Sequence, residues 1–360
     1  MYTTPNQPDN RPPYAGTPYP PTVQPPSYQP YYSPYTPPMT PQQAEKKRLR
    51  GDAAYIGGMM LALTATMQLF FTVVVLLLQA FGVITAEALY YDDFLGLGNT
   101  AYMLVYACVY AFDFIAPTVL VALCCKRRHF PLGPAGKVAA SDAFLGVLAA
   151  MGGCILANFA ANYMSAFLEQ FGITRPEMPQ LLENTPQSLL INLIVIAVLP
   201  ALLEEMVFRG YVLRAFRPYG DWFAVAVSSL LFGLMHGNIL QIPFALIVGF
   251  LLGWLYVMTD NIWLPVAVHF CNNAMSTLME YISLDMPPET QSLYILLCFG
   301  LIAVIGAVAM LILVVRRSDL LRRLPKRSVL SVGQRTGALL TSPLFLIAVI
   351  VFLILTALGA

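Results

Sequence analysis

Long uninterrupted apolar runs separated by short polar connections set the pattern of this chain. They fall at roughly 54–84, 101–124, 143–167, 188–213, 222–238, 240–258, 262–280, 292–315 and 343–360. Most are near the ~20 residues a helix needs to cross a bilayer. The runs are continuous rather than alternating, which excludes the strands of a membrane barrel. Hydrocarbon gives the backbone no hydrogen-bond partner, so each run must satisfy its own amides as a helix. The predicted fold is all-α, a polytopic transmembrane helical bundle of about nine spans.

The connections test that count, because Lys and Arg collect on the cytoplasmic side of a membrane. Lys46, Lys47, Arg48 and Arg50 precede the first span, whereas Glu87, Asp92 and Asp93 follow it. Lys126, Arg127, Arg128 and Lys137 follow the second, and Glu169, Glu177 and Glu183 the third. Arg209, Arg214 and Arg217 close the fourth, and a run from Arg316 to Arg335 follows the eighth. Nine spans put every Lys and Arg except Arg175 on one side. The expectation is a plasma-membrane protein with a cytoplasmic amino terminus.

Composition agrees. The 360 residues are 58% hydrophobic and 11% charged, too few charges to cover a water-soluble fold of this length. The lipid bilayer is the expected surrounding partner, and with a net charge of +1 no nucleic-acid partner is expected. Residues 1–43 differ sharply, being rich in Pro, Tyr, Gln and Thr, and cannot bury enough apolar area to offset the entropy of ordering. They are read as a disordered cytoplasmic tail, with a partner-binding strip as the alternative to a solvated spacer. Division follows at 44–187 for the first helices, 188–283 for a core of middle helices and 284–360 for the last helices. Cys108, Cys124, Cys125, Cys154, Cys271 and Cys298 lie in or beside apolar runs without a CxxC pair, and are read as buried small apolar residues.

Ionisable side chains inside spans are costly unless paired or facing a wet cavity, so each is a functional candidate. They are Asp113, the pair Glu204-Glu205 with Arg209, His236, and His269 with Asn273. All but the first fall within about seventy residues. Glu205 and Arg209, four apart, share a helix face and suit an ion pair; Glu204, rotated by ~100°, is left without a partner and free for chemistry. His269 and Asn273 are stacked in the same way. At ~1.5 Å per residue, His269 lies roughly 10 Å and His236 roughly 20 Å from the cytoplasmic ends of their spans, with Glu204 expected between mid-bilayer and the cytoplasmic face. Convergence then requires a short, tilted or deeply set fifth helix. A site entered from the cytosol is the expectation. Asp113, Asn158 and Asn162 are read either as cavity lining or as packing contacts. His129, in a basic connection, is read as solvated surface.

Taken together, Glu204-Glu205…Arg209, Phe232…His236 and His269…Asn273 resemble the EExxxR, FxxxH and HxxxN motifs of the CPBP family, the CAAX proteases and bacteriocin-processing enzymes. The stretch Glu204-Glu205-Met206-Val207-Phe208-Arg209-Gly210 fits the longer EExxFRG form, and Trp263 also fits. The resemblance covers about residues 188–280. It implies a helix-enclosed endopeptidase of the glutamate type acting on peptide or membrane-protein substrates, among them prenylated CAAX-type chains. Glu204 would be the general base and His236 would hold the water. His269 and Asn273 would be oxyanion donors, and Glu205 and Arg209 supporting residues.

Peptide hydrolysis needs a base within hydrogen-bond reach of a water, which suits these roles. Two imidazoles and a glutamate are also a legitimate zinc set, but HExxH is missing and Asn273 is a poor ligand; the expectation is no cofactor, with zinc as the alternative. A proton-coupled transporter is the first rival, lacking the duplicated halves such proteins carry. A non-catalytic scaffold is the second, opposed by the intact motifs.

Overall fold

A computed structural model of the chain describes residues 38–92, 94–124, 136–174, 181–317 and 328–358. The tail up to residue 37, Cys125, the basic residues 126–128, His129 and Arg175 lie outside the described residues. Helices are α1 (Pro41–Ala80), α2 (Asn99–Cys124), α3 (Ala140–Glu169), α4 (Pro186–Tyr219), α5 (Asp221–Met235), α6 (Ile242–Thr259), α7 (Trp263–Ser283), α8 (Pro288–Arg316), α9 (Val332–Leu340) and α10 (Pro343–Leu358). Among the described residues a helix answers each of the nine apolar runs. Six of them, α1 to α4, α6 and α8, are long and apolar enough to cross a membrane alone, and α9 with α10, bent by 78°, forms a seventh candidate. The other two are α5, apolar but only 15 residues long, and α7, whose 21 residues include His269, Asn272, Asn273 and Glu280.

Chemistry at the ends explains the boundaries. α1 begins at Pro41, three residues before the expected edge of the tail, because Thr40 and Gln43 form a capping box and proline suits the first helical position. The fifth run reads as 222–238, but α5 stops at Met235. Gly237, at φ 61°, then turns the chain within the tight connection to α6.

Small residues set the helix crossings, as expected where lipid supplies no hydrophobic drive between helices. A Cβ on Gly306 of α8 would lie 2.5 Å from the Gly152 Cα of α3, and one on Gly57 of α1 would lie 2.4 Å from the backbone of Leu344 and Phe345. Gly249 of α6 sits against Ser229 and Phe232 of α5. The first two are backbone contacts that any larger side chain would break, and the third sets Gly249 against a ring and a backbone carbon.

Polar pairs tie the helix ends together. At one end Arg217 bonds Asp221 at 3.0 Å and also reaches Asp260, Tyr219 donates to Asp52 at 2.5 Å, Arg335 donates to the Tyr219 carbonyl, and Arg317 pairs with Asp142. At the other end Asn99 and Asn192 both donate to the Leu181 carbonyl, at 2.6 and 3.2 Å, and Asn184 bonds Asp285. The first end carries the Lys and Arg; the described connections at the second carry none. Among the described cysteines only Cys154 is buried; Cys108 and Cys124 are exposed and Cys271 and Cys298 half-buried. The uniform reading as buried residues therefore fails, because an apolar thiol is as well accommodated by lipid as by a packed interior.

Candidate active site

α4 carries the acidic pair on seven ordinary helical residues, Leu199–Glu205, framed by two π-helical stretches, Leu193–Val198 and Met206–Leu213. Such wide turns are rare and gather at functional sites. Pro200 brings no N–H to the carbonyl four residues back, that of Ile196. This carbonyl is satisfied instead from α7, by the Asn273 side-chain amide at 2.9 Å.

Glu204 and Glu205 diverge as their offset requires. Glu205 is fully buried and accepts from Arg209 at 2.8 Å. Arg209, itself fully buried, also donates to the Gly249 carbonyl at 2.9 Å and lies 4.8 Å from the centre of the Phe232 ring. Two charges withdrawn from solvent in this way are tolerable only as a well-bonded pair. Glu205 has a second contact that spacing did not show, with His269 Nδ1 at 3.0 Å. Its carboxylate thus joins α4 to α7.

Glu204 is not without a partner. Its Oε1 accepts from the Tyr110 phenol at 2.5 Å, a donor on α2 94 residues away, while Oε2 is buried without a protein hydrogen bond. His269 Nε2 lies 4.0 Å from that Oε2, too far for a direct hydrogen bond and close enough for one water to touch both. His236 caps the end of α5, its Nδ1 2.8 Å from the Phe232 carbonyl. A carbonyl only accepts, so Nδ1 carries the proton and Nε2 is left as an acceptor. The Phe232 ring packs edge-on to both imidazoles, with centroids 5.1 and 6.1 Å away.

All four expected catalytic residues, Glu204, His236, His269 and Asn273, line one cavity of about 350 Å³. Convergence follows from chain geometry. Glu204 stands fifteen positions before Tyr219 and His236 fifteen after Asp221, on helices joined at Gly220, so both come to the same level. The short fifth helix that the depth argument required is α5.

Several details differ from expectation. The Asn273 amide is already engaged with Ile196, leaving one N–H for anything else. Asn158 bonds the Cys154 carbonyl within its own helix, and neither it nor Asp113 lines the cavity. Tyr106, Tyr110 and Asn272 do line it and escaped the sequence reading. Two tyrosines four apart were the available signal, but a phenol in an apolar helix reads as an interfacial residue until its acceptor is known. Among the described residues no group of three or more His, Cys, Asp or Glu side chains is disposed to hold a metal.

Residues 186–275 match the family model described as type II CAAX prenyl endopeptidase Rce1-like. Among curated proteins, "Putative membrane peptidase YdiL" of Bacillus subtilis (strain 168) is 28% identical over 159 residues, which are 43% of this chain and 65% of that protein. The match thus spans just under two thirds of that relative's length. No solved structure matches.

Proposed function

We propose, on the premise that residues 186–275 are an Rce1-like segment of the CPBP family, that this integral membrane protein is an intramembrane endopeptidase that hydrolyses peptide bonds of membrane-associated chains. The observation that carries the reading is the single cavity in which Glu204, His236, His269 and Asn273 meet.

In this reading the buried Oε2 of Glu204 takes a proton from a water, whose oxygen attacks the scissile carbonyl carbon. Nε2 of His236 accepts a hydrogen bond from the other water hydrogen, which stays on the oxygen, and so aims the lone pair. Charge developing on the carbonyl oxygen is met by the remaining Asn273 N–H and by His269, which in its protonated form donates from Nε2 while Glu205 holds Nδ1. The carboxyl of Glu204 then returns the proton to the departing amine nitrogen as the C–N bond breaks, so that acid and amine leave with the elements of one water. A base positioned in this way contributes about 10²–10⁴ in rate, and each oxyanion donor about 10²–10³.

The test compares membranes carrying the native protein with membranes carrying Glu204→Gln, by mass spectrometry of peptide termini. Termini that appear only with the carboxylate are expected. Identical terminal profiles in the two membranes would sink the reading.

A further inference from the structure

Resting on the protease reading, we infer that the cavity is entered from the non-cytoplasmic side of the membrane, and that its substrates are peptide segments displayed on that face rather than carboxyl termini prenylated in the cytosol. Charge fixes the two faces first. The end of the bundle where α4 meets α5 and α6 meets α7 is also where α1, α3 and α9 begin, and the described Lys and Arg lie there, apart from the buried Arg209. Asp142–Arg317 and Arg217–Asp260 confirm that these termini share one level. No Lys or Arg falls in the described connections at the opposite end, and Arg175 is the single exception in the sequence. By the bias of basic residues the first end is cytoplasmic.

Depth then follows by counting. Fifteen helical residues separate Asp221 from His236, which sets the imidazole about 22 Å from the cytoplasmic end of a core about 30 Å thick. Glu204 counts the same number from Tyr219. His269 stands only six residues into α7, but Asp260 is the residue held at the level of Arg217. Nε2 of His269 lies 4.0 Å from Oε2 of Glu204, which holds His269 at the level of the others. The reacting groups therefore lie at the level where α5 ends, about 22 Å from the Arg217–Asp221 pair.

The cavity continues from them away from the cytoplasm. On α4 it is lined by Glu204 and then by Pro200, Ile196 and Val195, successively farther from Tyr219. On α2 it is lined by Tyr106, seven residues from Asn99 and eighteen from Cys124. Gln241, exposed at the start of α6, completes it at the turn between α5 and α6. Those two helices, at 15 and 18 residues, rise only about 22 and 27 Å. Their turn stops short of the far surface of a core about 30 Å thick, and the cavity runs beside it from Gln241 to Val248.

Thiol accessibility tests this. In a chain whose six native cysteines are replaced by serine, Gln241→Cys and Asn238→Cys probe the turn, and Lys137→Cys marks the cytoplasmic end. With a membrane-impermeant maleimide, Gln241→Cys should be labelled on intact cells and Lys137→Cys only in inverted vesicles. Labelling of Gln241→Cys confined to inverted vesicles, or absent from both sides at 241 and 238 alike, would overturn the inference. Glu204→Gln separates the two readings. Labelling from inside, with cleavage still lost in Glu204→Gln, would refute the sidedness and spare the protease. Labelling from outside, with unchanged peptide termini in Glu204→Gln, would do the reverse.

Discussion

Tyr110 on α2 donates its phenolic hydrogen to Oε1 of Glu204 on α4, at 2.5 Å. This contact brings to the site a residue outside the segment that matches the family model. It fixes one carboxylate oxygen and thereby turns the other toward the cavity. Tyr110 is itself held between Tyr106 and Phe114, with ring centroids 5.9 and 4.9 Å away, so its position survives loss of the hydroxyl. Tyr110→Phe should keep the fold and the KM while lowering kcat. A hydrogen bond to a charged group is worth about 1.5–3 kcal/mol, so the loss should be about 10- to 100-fold. Turnover of a cleavable reporter, measured beside the native protein, checks it; an unchanged kcat would show that Glu204 needs no such hold.

Pro200 and Asn273 form a second pair, one exposing the Ile196 carbonyl and the other satisfying it. Asn273→Ala should cost about 1–3 kcal/mol of stability, the penalty of a buried unsatisfied acceptor. In a Pro200→Ala background the new N–H can reach that carbonyl, and the same substitution should cost at least about 0.5 kcal/mol less, a coupling typical of residues that share a partner. Thermal unfolding in detergent of the four proteins of this cycle measures it. Equal costs in both backgrounds would separate Asn273 from the backbone of α4.

At the crossing of α3 and α8, a Cβ on Gly306 would lie 2.5 Å from the Gly152 Cα, whereas one on Gly300 meets nothing within 4 Å. Gly306→Ala should therefore lower stability by about 1–3 kcal/mol through overpacking. Gly300→Ala should raise it by about 0.5–1 kcal/mol, because alanine loses less backbone freedom than glycine in a helix. The two melting temperatures should move in opposite directions, and a shared direction would contradict the close approach.

How much of this was legible beforehand depends on the distance over which each fact is decided. Apolar runs are local, and they announced the helices. Offsets of four on a single helix are local too, and Glu205 with Arg209 came out as read. The partners of Glu204 and Asn273 were hidden because each comes from another helix, 94 and 77 residues away, and no pattern within one segment encodes who faces whom. The π-helical turns were equally hidden, since no residue type prescribes them. The inferred entry side departs from the expected cytosolic one for a different reason. The length of α5 was overestimated by including Gly237 and Asn238, and Glu204 was assigned to the half of its span nearer the arginines.

The wide turns on either side of Glu204 have a bearing on how this helix tolerates change. Each behaves as though a single extra residue had been spliced into a regular coil, so shortening the chain by one position between Leu193 and Val198 should restore regular winding there and leave the remainder in phase. The direction in which the carboxylate looks is then adjustable by length rather than by side-chain identity, and the stretch from 193 to 198 is the first place to expect relatives with one residue fewer.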